Sequence, residues 1–310
     1  MRALVWGHHV GVVDKPVPPI PEGWVLGKVM AAMFGPIERA IVMGIQPIEP
    51  GRVLGSFGVM RIVERGVGVE DLGPGQVVAV PAYCMDSIVG VDMDGLLADY
   101  APVPRKCVRL VPSEFLSPLT PLWLEFSFLE GLREAVAGRD TLAIGCGFTG
   151  YVTASYLRGV TNLTVACVER GLMEEIGKLG VRTMMLDSVE GSYDVVILEP
   201  LSTYATLVAL RFLKDGGVLA LPPTQPKIVL KYTGFPSSLT LFRPGFGNLA
   251  VGKEAIDAVP KKIMSQAVVT VKNLDEVRVM SRYYGRVIYM PKQMIGGGGS
   301  AQVKSLHAEH

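Results

Sequence analysis

One stretch restricts this chain more than any other: Thr141-Leu142-Ala143-Ile144-Gly145-Cys146-Gly147-Phe148-Thr149-Gly150. An apolar run ends in glycines at G-x-G-x-x-G spacing. A helix-compatible segment follows from Tyr151 to Arg158, then a second apolar run from Leu163 to Val168, then the acid Glu169. The pattern predicts strand, turn, helix, strand, carboxylate, and each part suits a dinucleotide. Gly145 permits the tight turn, Gly147 lets backbone approach a pyrophosphate, and Gly150 lets the helix pack closely on the strand. A carboxylate at the tip of the second strand takes the hydroxyls of the adenosine ribose, and Glu169 lies about 20 residues past the glycines, where that acid is expected. The residues expected to hold the cofactor are Gly145, Gly147, Phe148, Thr149, Gly150, Glu169, Arg170 and Glu199.

The same loop has a competing interpretation. Ile144-Gly145-Cys146-Gly147 also resembles the glycine loop of S-adenosylmethionine-dependent methyltransferases, and the run 213–219 would suit that family too. A glycine turn in an α/β domain with Glu169 simply solvated is the plain structural alternative.

The chain of 310 residues is long enough for two domains. Its formal net charge of +1 and scattered lysines and arginines remove the argument for a nucleic-acid partner. Cys84, Cys107, Cys146 and Cys167 are far apart with no C-x-x-C, and Cys146 and Cys167 sit in apolar contexts as small buried residues. Neither a disulfide scaffold nor a cysteine-rich zinc site is therefore expected. His8-His9 has no other histidine except His307 and His310 in the tail, and is expected to be a surface turn. With no signal-peptide profile and no apolar run of transmembrane length, the expected location is the cytoplasm, with no membrane partner.

Short alternating runs separated by Pro and Gly clusters predict a β-rich N-terminal region. Residues 112–138 take on helical spacing. Residues 139–250 alternate strand and helix, as in a parallel sheet with crossover helices. Beyond them the pattern predicts a helix near Lys253–Lys262, strands at Ala267–Val271 and Arg286–Met290, and a helix at Leu274–Tyr283. From Ile295 onward, Gly296-Gly297-Gly298-Gly299-Ser300 has the composition of a flexible linker.

The order of these parts resembles the medium-chain dehydrogenase/reductase family, of alcohol-dehydrogenase and quinone-reductase type. The opening Met1–Trp6, the stretch from Val53-Leu54-Gly55 to Gly75-Gln76-Val77-Val78-Ala79-Val80, Gly95–Tyr100 and the closing Gly285-Arg286-Val287-Ile288-Tyr289 each resemble a family segment in the right order. The resemblance implies an α/β fold: a GroES-like β-rich domain (1–115), a Rossmann-type doubly wound parallel sheet (116–250), a return segment completing the first domain (251–294) and a linker-like tail (295–310). It favours a dinucleotide over S-adenosylmethionine and implies a small-molecule substrate and a homo-oligomer, dimer or tetramer. An edge strand near Lys227–Tyr232 is a candidate for pairing two sheets.

The departures concern the metal. The segment Ala31–Glu38 resembles the one that carries the family's zinc-binding cysteine, but Gly35 stands there; Ser56-Phe57 replaces the family's His-Glu; Glu125 matches an acid near the metal. A hydroxyl and a carboxylate make a poor zinc set, so no zinc is expected. Glu38, Ser56 and Glu125 become the candidate catalytic groups, Ser56 as hydrogen-bond donor and a glutamate as proton relay, with Arg39 in place to neutralise Glu38. The expected chemistry is zinc-independent hydride transfer to or from a carbonyl, enone or quinone-like substrate, with NAD or NADP as cofactor. Glu169 favours NAD, and Arg170 opposes that preference by offering a partner to a 2′-phosphate. The alternative is a degenerate nucleotide-binding member without turnover.

Overall fold

The computed structural model describes residues 1–199, 202–224 and 236–291. The edge strand expected near Lys227–Tyr232 and the tail from 295 lie outside them.

Two large sheets dominate. The first has the order 268–271, 286–289, 24–34, 57–65, 77–80, 109–110, with Tyr100–Pro104 also paired to Trp24–Phe34. Trp24–Phe34 is buried along most of its length, and Phe57–Arg65 runs from a buried start to an exposed end. The closing strand Arg286–Tyr289 runs antiparallel to Trp24–Phe34, with Val287 opposite Phe34, Ile288 opposite Met33 and Tyr289 opposite Ala32. The end of the chain thus returns to the sheet built by its beginning. One step further along that register, Arg286 comes level with Gly35.

The second sheet is wholly parallel, in the order 182–185, 162–167, 140–144, 193–198, 213–220, 239–242. Numbered along the chain this is 3-2-1-4-5-6, the Rossmann order, which reverses between Asp140–Ile144 and Tyr193–Leu198. Leu142, Ala143, Ile144, Val195, Val196, Ile197 and Leu198 are fully buried, as strands covered on both faces must be. A small GroES-like β-rich part and a Rossmann α/β part therefore make up the fold, as the resemblance implied.

Helices Thr120–Phe126 and Leu249–Asp257 pack closely, because Gly252 lies directly against the Trp123 carbonyl, where a methyl group would overlap it. The single helix expected near Lys253–Lys262 is two, Leu249–Asp257 and Lys261–Ala267. Pro260 cannot donate a helical hydrogen bond and instead caps the second. Among the described residues no helix is long and apolar enough to cross a membrane.

The cysteine expectation fails. Cys84 is disulfide-bonded to Cys107 and Cys146 to Cys167, each pair with Cα atoms 5.1 Å apart, within the usual range for a bridge. Spacing hid the pairing because it arises from tertiary contact. Parallel neighbours Asp140–Ile144 and Asn162–Cys167 bring together cysteines 21 residues apart in sequence. The second bridge ties the glycine loop to the strand that ends beside Glu169. The paired substitution Cys146→Ser with Cys167→Ser is expected to lower unfolding free energy by about 3 kcal/mol, the loss for a loop of this length. Urea unfolding reads this directly, and an unchanged midpoint would contradict a bridge.

Candidate functional site

The glycine loop sits at the sheet's reversal point, where two strand ends diverge and leave a crevice. Gly145 adopts φ +132°, outside the range of ordinary side chains. A methyl group at Gly150 would overlap the Gly145 carbonyl, so only glycine lets the following helix, Phe148–Leu157, begin there. Gly147 is different: no atom lies within 4 Å of where its Cβ would be, so its face is open. It is also the N-cap of that helix and supplies no side-chain cap, which leaves the first backbone N–H groups for an incoming acceptor. Phe148 is buried. Leu172 N–H donates to the Cys146 carbonyl at 2.8 Å and holds the loop from behind. Glu169 and Arg170 are both exposed just past the second strand.

Glu199 follows the strand on the other side of the reversal, and its N–H donates to the Ile144 carbonyl at 3.1 Å. Its carboxyl is buried beside Gly150, where a Cβ would come within 3.0 Å of Oε2. Neither carboxyl oxygen makes a hydrogen bond of good geometry, although the buried Thr153 hydroxyl lies near enough to interact with the carboxyl. Burial pushes the carboxyl up to about 8, against the opposing influence of Thr153 and Arg286.

The three candidate catalytic groups fall into two closed pairs. Ser56 donates to Glu38 Oε1 at 2.5 Å, and Gly35 N–H donates to Glu38 Oε2 at 2.7 Å. Glu38 is wholly buried at the first turn of helix Pro36–Val42; burial raises its pKa, while Ser56 and Gly35 pull the other way. Arg39 does not neutralise it. Its guanidinium turns away and donates to the carbonyls of Ser281 and Tyr284, because its side of the short helix faces the C-terminal segment.

Glu125 forms the second pair, with Arg286, the first residue of the closing strand. Arg286 donates through Nε to Glu125 Oε2 at 2.7 Å and through Nη2 to Oε1 at 2.5 Å, and both residues are buried. The same Nη2 donates to the Thr149 hydroxyl at 2.8 Å, in the first turn of the glycine-loop helix. The guanidinium also lies over the rings of Phe148 and Phe126, at 4.8 and 5.3 Å. An arginine opening an otherwise apolar strand, directly after glycine, was the only sequence signal for it.

The positions that would ligate zinc do not fit the ion. Gly35 offers no side chain, the Ser56 hydroxyl is engaged with Glu38, and both oxygens of Glu125 are taken by a guanidinium, whose charge opposes a cation. Among the described residues no group of three or more His, Cys, Asp or Glu side chains is placed to hold a metal.

No family model matches the chain. An L-threonine 3-dehydrogenase from Thermococcus kodakarensis is 31% identical over 170 residues, 47% of this chain and 47% of that protein. The matched stretch thus spans about half the length of that relative. An L-threonine 3-dehydrogenase from Caldanaerobacter subterraneus is 25% identical over 273 residues, 74% of this chain and 78% of that one. Among solved structures, acetophenone reductase from Geotrichum candidum in complex with NAD superposes with a TM-score of 0.68 at 17% identity, covering 94% of this chain and 98% of that one. The structural likeness concerns the fold, and the sequence likeness to the second dehydrogenase extends over 74% of this chain. Together they show a chain with the fold of alcohol-dehydrogenase-type enzymes and a sequence similar to L-threonine 3-dehydrogenases.

Proposed function

We propose that the chain is an NAD(P)-dependent oxidoreductase that works without zinc, moving hydride to or from a small carbonyl, enone or quinone-like substrate. The observation that carries this reading is the open face of Gly147 at the sheet's reversal point, with Arg286 anchored on the same helix start. Gly145, Gly147, Phe148, Thr149 and Gly150 form the pyrophosphate cradle, and Arg286 adds positive charge beside it. Bound there, a nicotinamide supplies the hydride chemistry.

In this reading Glu38, in its protonated form, donates to Ser56, whose one O–H turns from Glu38 to the oxygen on which charge develops; the proton passes to that oxygen through Ser56 and leaves Glu38 as the carboxylate. The pair is prearranged at 2.5 Å and shielded from water, and burial favours the protonated form of Glu38. Glu125 becomes a positioning residue that holds Arg286. Cytoplasmic location and a homo-oligomeric state belong to the same proposal. The two disulfides weigh against the cytoplasmic part of that proposal, since an ordinary cytoplasm keeps thiols reduced.

Thermal-shift titration with NADH, NADPH and S-adenosylmethionine tests the ligand. The panel for turnover holds L-threonine, aromatic ketones, enones and quinones. Stabilisation by S-adenosylmethionine alone would overturn the reading. Nicotinamide binding without hydride transfer to any of them would support the degenerate alternative, which the mutual closure of Glu38 with Ser56 and Glu125 with Arg286 favours. For cofactor choice, Glu169→Ala is expected to weaken NADH about tenfold, for one lost charge-assisted hydrogen-bond pair, and NADPH little. Equal loss for both cofactors would remove the role given to Glu169.

A further inference from the structure

Glu199 is a buried acid that nothing in the hydride-transfer chemistry requires. It stands at the reversal point on the strand opposite the glycine loop, and its carboxyl lies against Gly150, the last glycine of the motif. A buried carboxyl without a hydrogen bond of good geometry is costly, and such a group either finds a ligand or stays neutral.

Its surroundings define its charge state. From the glycine-loop helix it faces the Thr153 hydroxyl, which interacts with it without a hydrogen bond of good geometry, and from the closing strand it feels the Arg286 guanidinium. That guanidinium is already matched by both oxygens of Glu125 on helix Thr120–Phe126. With Glu199 protonated, the cluster of Glu125, Arg286 and Glu199 is neutral. With Glu199 ionised, it carries one net negative charge behind the helix start that is open to phosphate. In a water-poor crevice that charge acts directly on an incoming anion.

We propose that Glu199 is a dinucleotide-binding residue that works as a neutral carboxylic acid, so that binding the cofactor takes up a proton when the free site is ionised. The inference rests on the nucleotide-binding reading above. The neutral acid offers an O–H donor to the crevice, whereas the carboxylate offers only acceptors and repels the pyrophosphate. Burial sets the changeover near the upper end of the physiological range, since the free carboxyl is held at about 8. The sign follows: affinity is full below that value and falls above it.

The test is an NADH titration across pH 6.5 to 9.5, with proton uptake measured calorimetrically at about pH 8.5 in two buffers of different ionisation heat. The dissociation constant should be level at neutral pH and rise above about pH 8, approaching tenfold per unit, with uptake of a substantial fraction of one proton. Glu199→Gln keeps the neutral shape and should bind NADH at about pH 9 as tightly as the parent does at neutral pH, with no proton uptake. The parent protein's proton count decides the matter if that variant does not fold. A level dissociation constant without uptake, or an unchanged pH profile in Glu199→Gln, would overturn the inference and leave nucleotide binding intact. Absence of NADH binding at every pH would remove the nucleotide reading and this inference together.

Discussion

Arg286→Ala is expected to lower unfolding free energy by about 3–5 kcal/mol, the range for removing one partner of a buried ion pair. The physical cause is what remains. Glu125 would keep a wholly buried carboxyl whose two hydrogen bonds, at 2.7 and 2.5 Å, both came from the missing side chain. Thr149 would also lose its donor, and the rings of Phe126 and Phe148 would lose the cation between them. The double substitution Arg286→Met with Glu125→Leu removes both charges together and should recover most of that stability, because well-packed apolar groups replace buried ion pairs at little cost. It should not recover nucleotide binding, since the positive charge at the glycine-loop helix would be gone. Urea unfolding and NADH fluorescence titration separate the two effects. A double variant as unstable as Arg286→Ala would show that packing, rather than an orphaned charge, dominates; a double variant that binds NADH normally would deny Arg286 a role in the site.

That arginine marks the boundary of what sequence alone conveys here. Its partners Thr149 and Glu125 are 137 and 161 residues away, and only the return of the closing strand to Trp24–Phe34 brings them together. The cysteines teach the same lesson at shorter range, since parallel strand pairing, invisible in spacing, unites Cys146 with Cys167. The parallel sheet itself was legible, because strands buried on both faces leave unbroken apolar runs such as Leu142–Ile144 and Val195–Leu198. The glycine loop was legible for another reason: its close approaches demand residues without a Cβ. Glu38 and Ser56 were expected in one cleft from the family resemblance, and they hydrogen-bond to each other. The charge state of Glu199 needed the structure, because it depends on how well polar groups hydrogen-bond to a buried carboxyl.

Gly150→Ala should be the most damaging small substitution in the glycine loop, and its contrast with Gly147→Ala tests the site more sharply than either alone. At Gly150 the added methyl group would overlap the Gly145 carbonyl oxygen and approach its carbon at 2.8 Å and Glu199 Oε2 at 3.0 Å. Two of these three are backbone atoms of a turn that cannot rotate away. Overpacking of this kind costs about 1–3 kcal/mol, and the helix start would shift with it, so NADH affinity should fall by about a hundredfold or more as the phosphate-facing N–H groups lose their aim. At Gly147 the backbone is extended at φ −82°, and nothing lies within 4 Å of an added methyl group. Stability there should change by no more than about 0.5 kcal/mol, as at a site without buried contacts. The methyl group would nonetheless stand where a pyrophosphate must approach, so affinity should fall about tenfold or more from steric loss alone. Gly252→Ala supplies the converse, since its methyl group would overlap the Trp123 carbonyl away from the loop and reduce stability with NADH affinity preserved. If Gly147→Ala bound NADH as the parent does, the open face of the loop would not be where the phosphates lie, and the nucleotide would have to be sought elsewhere along the crevice.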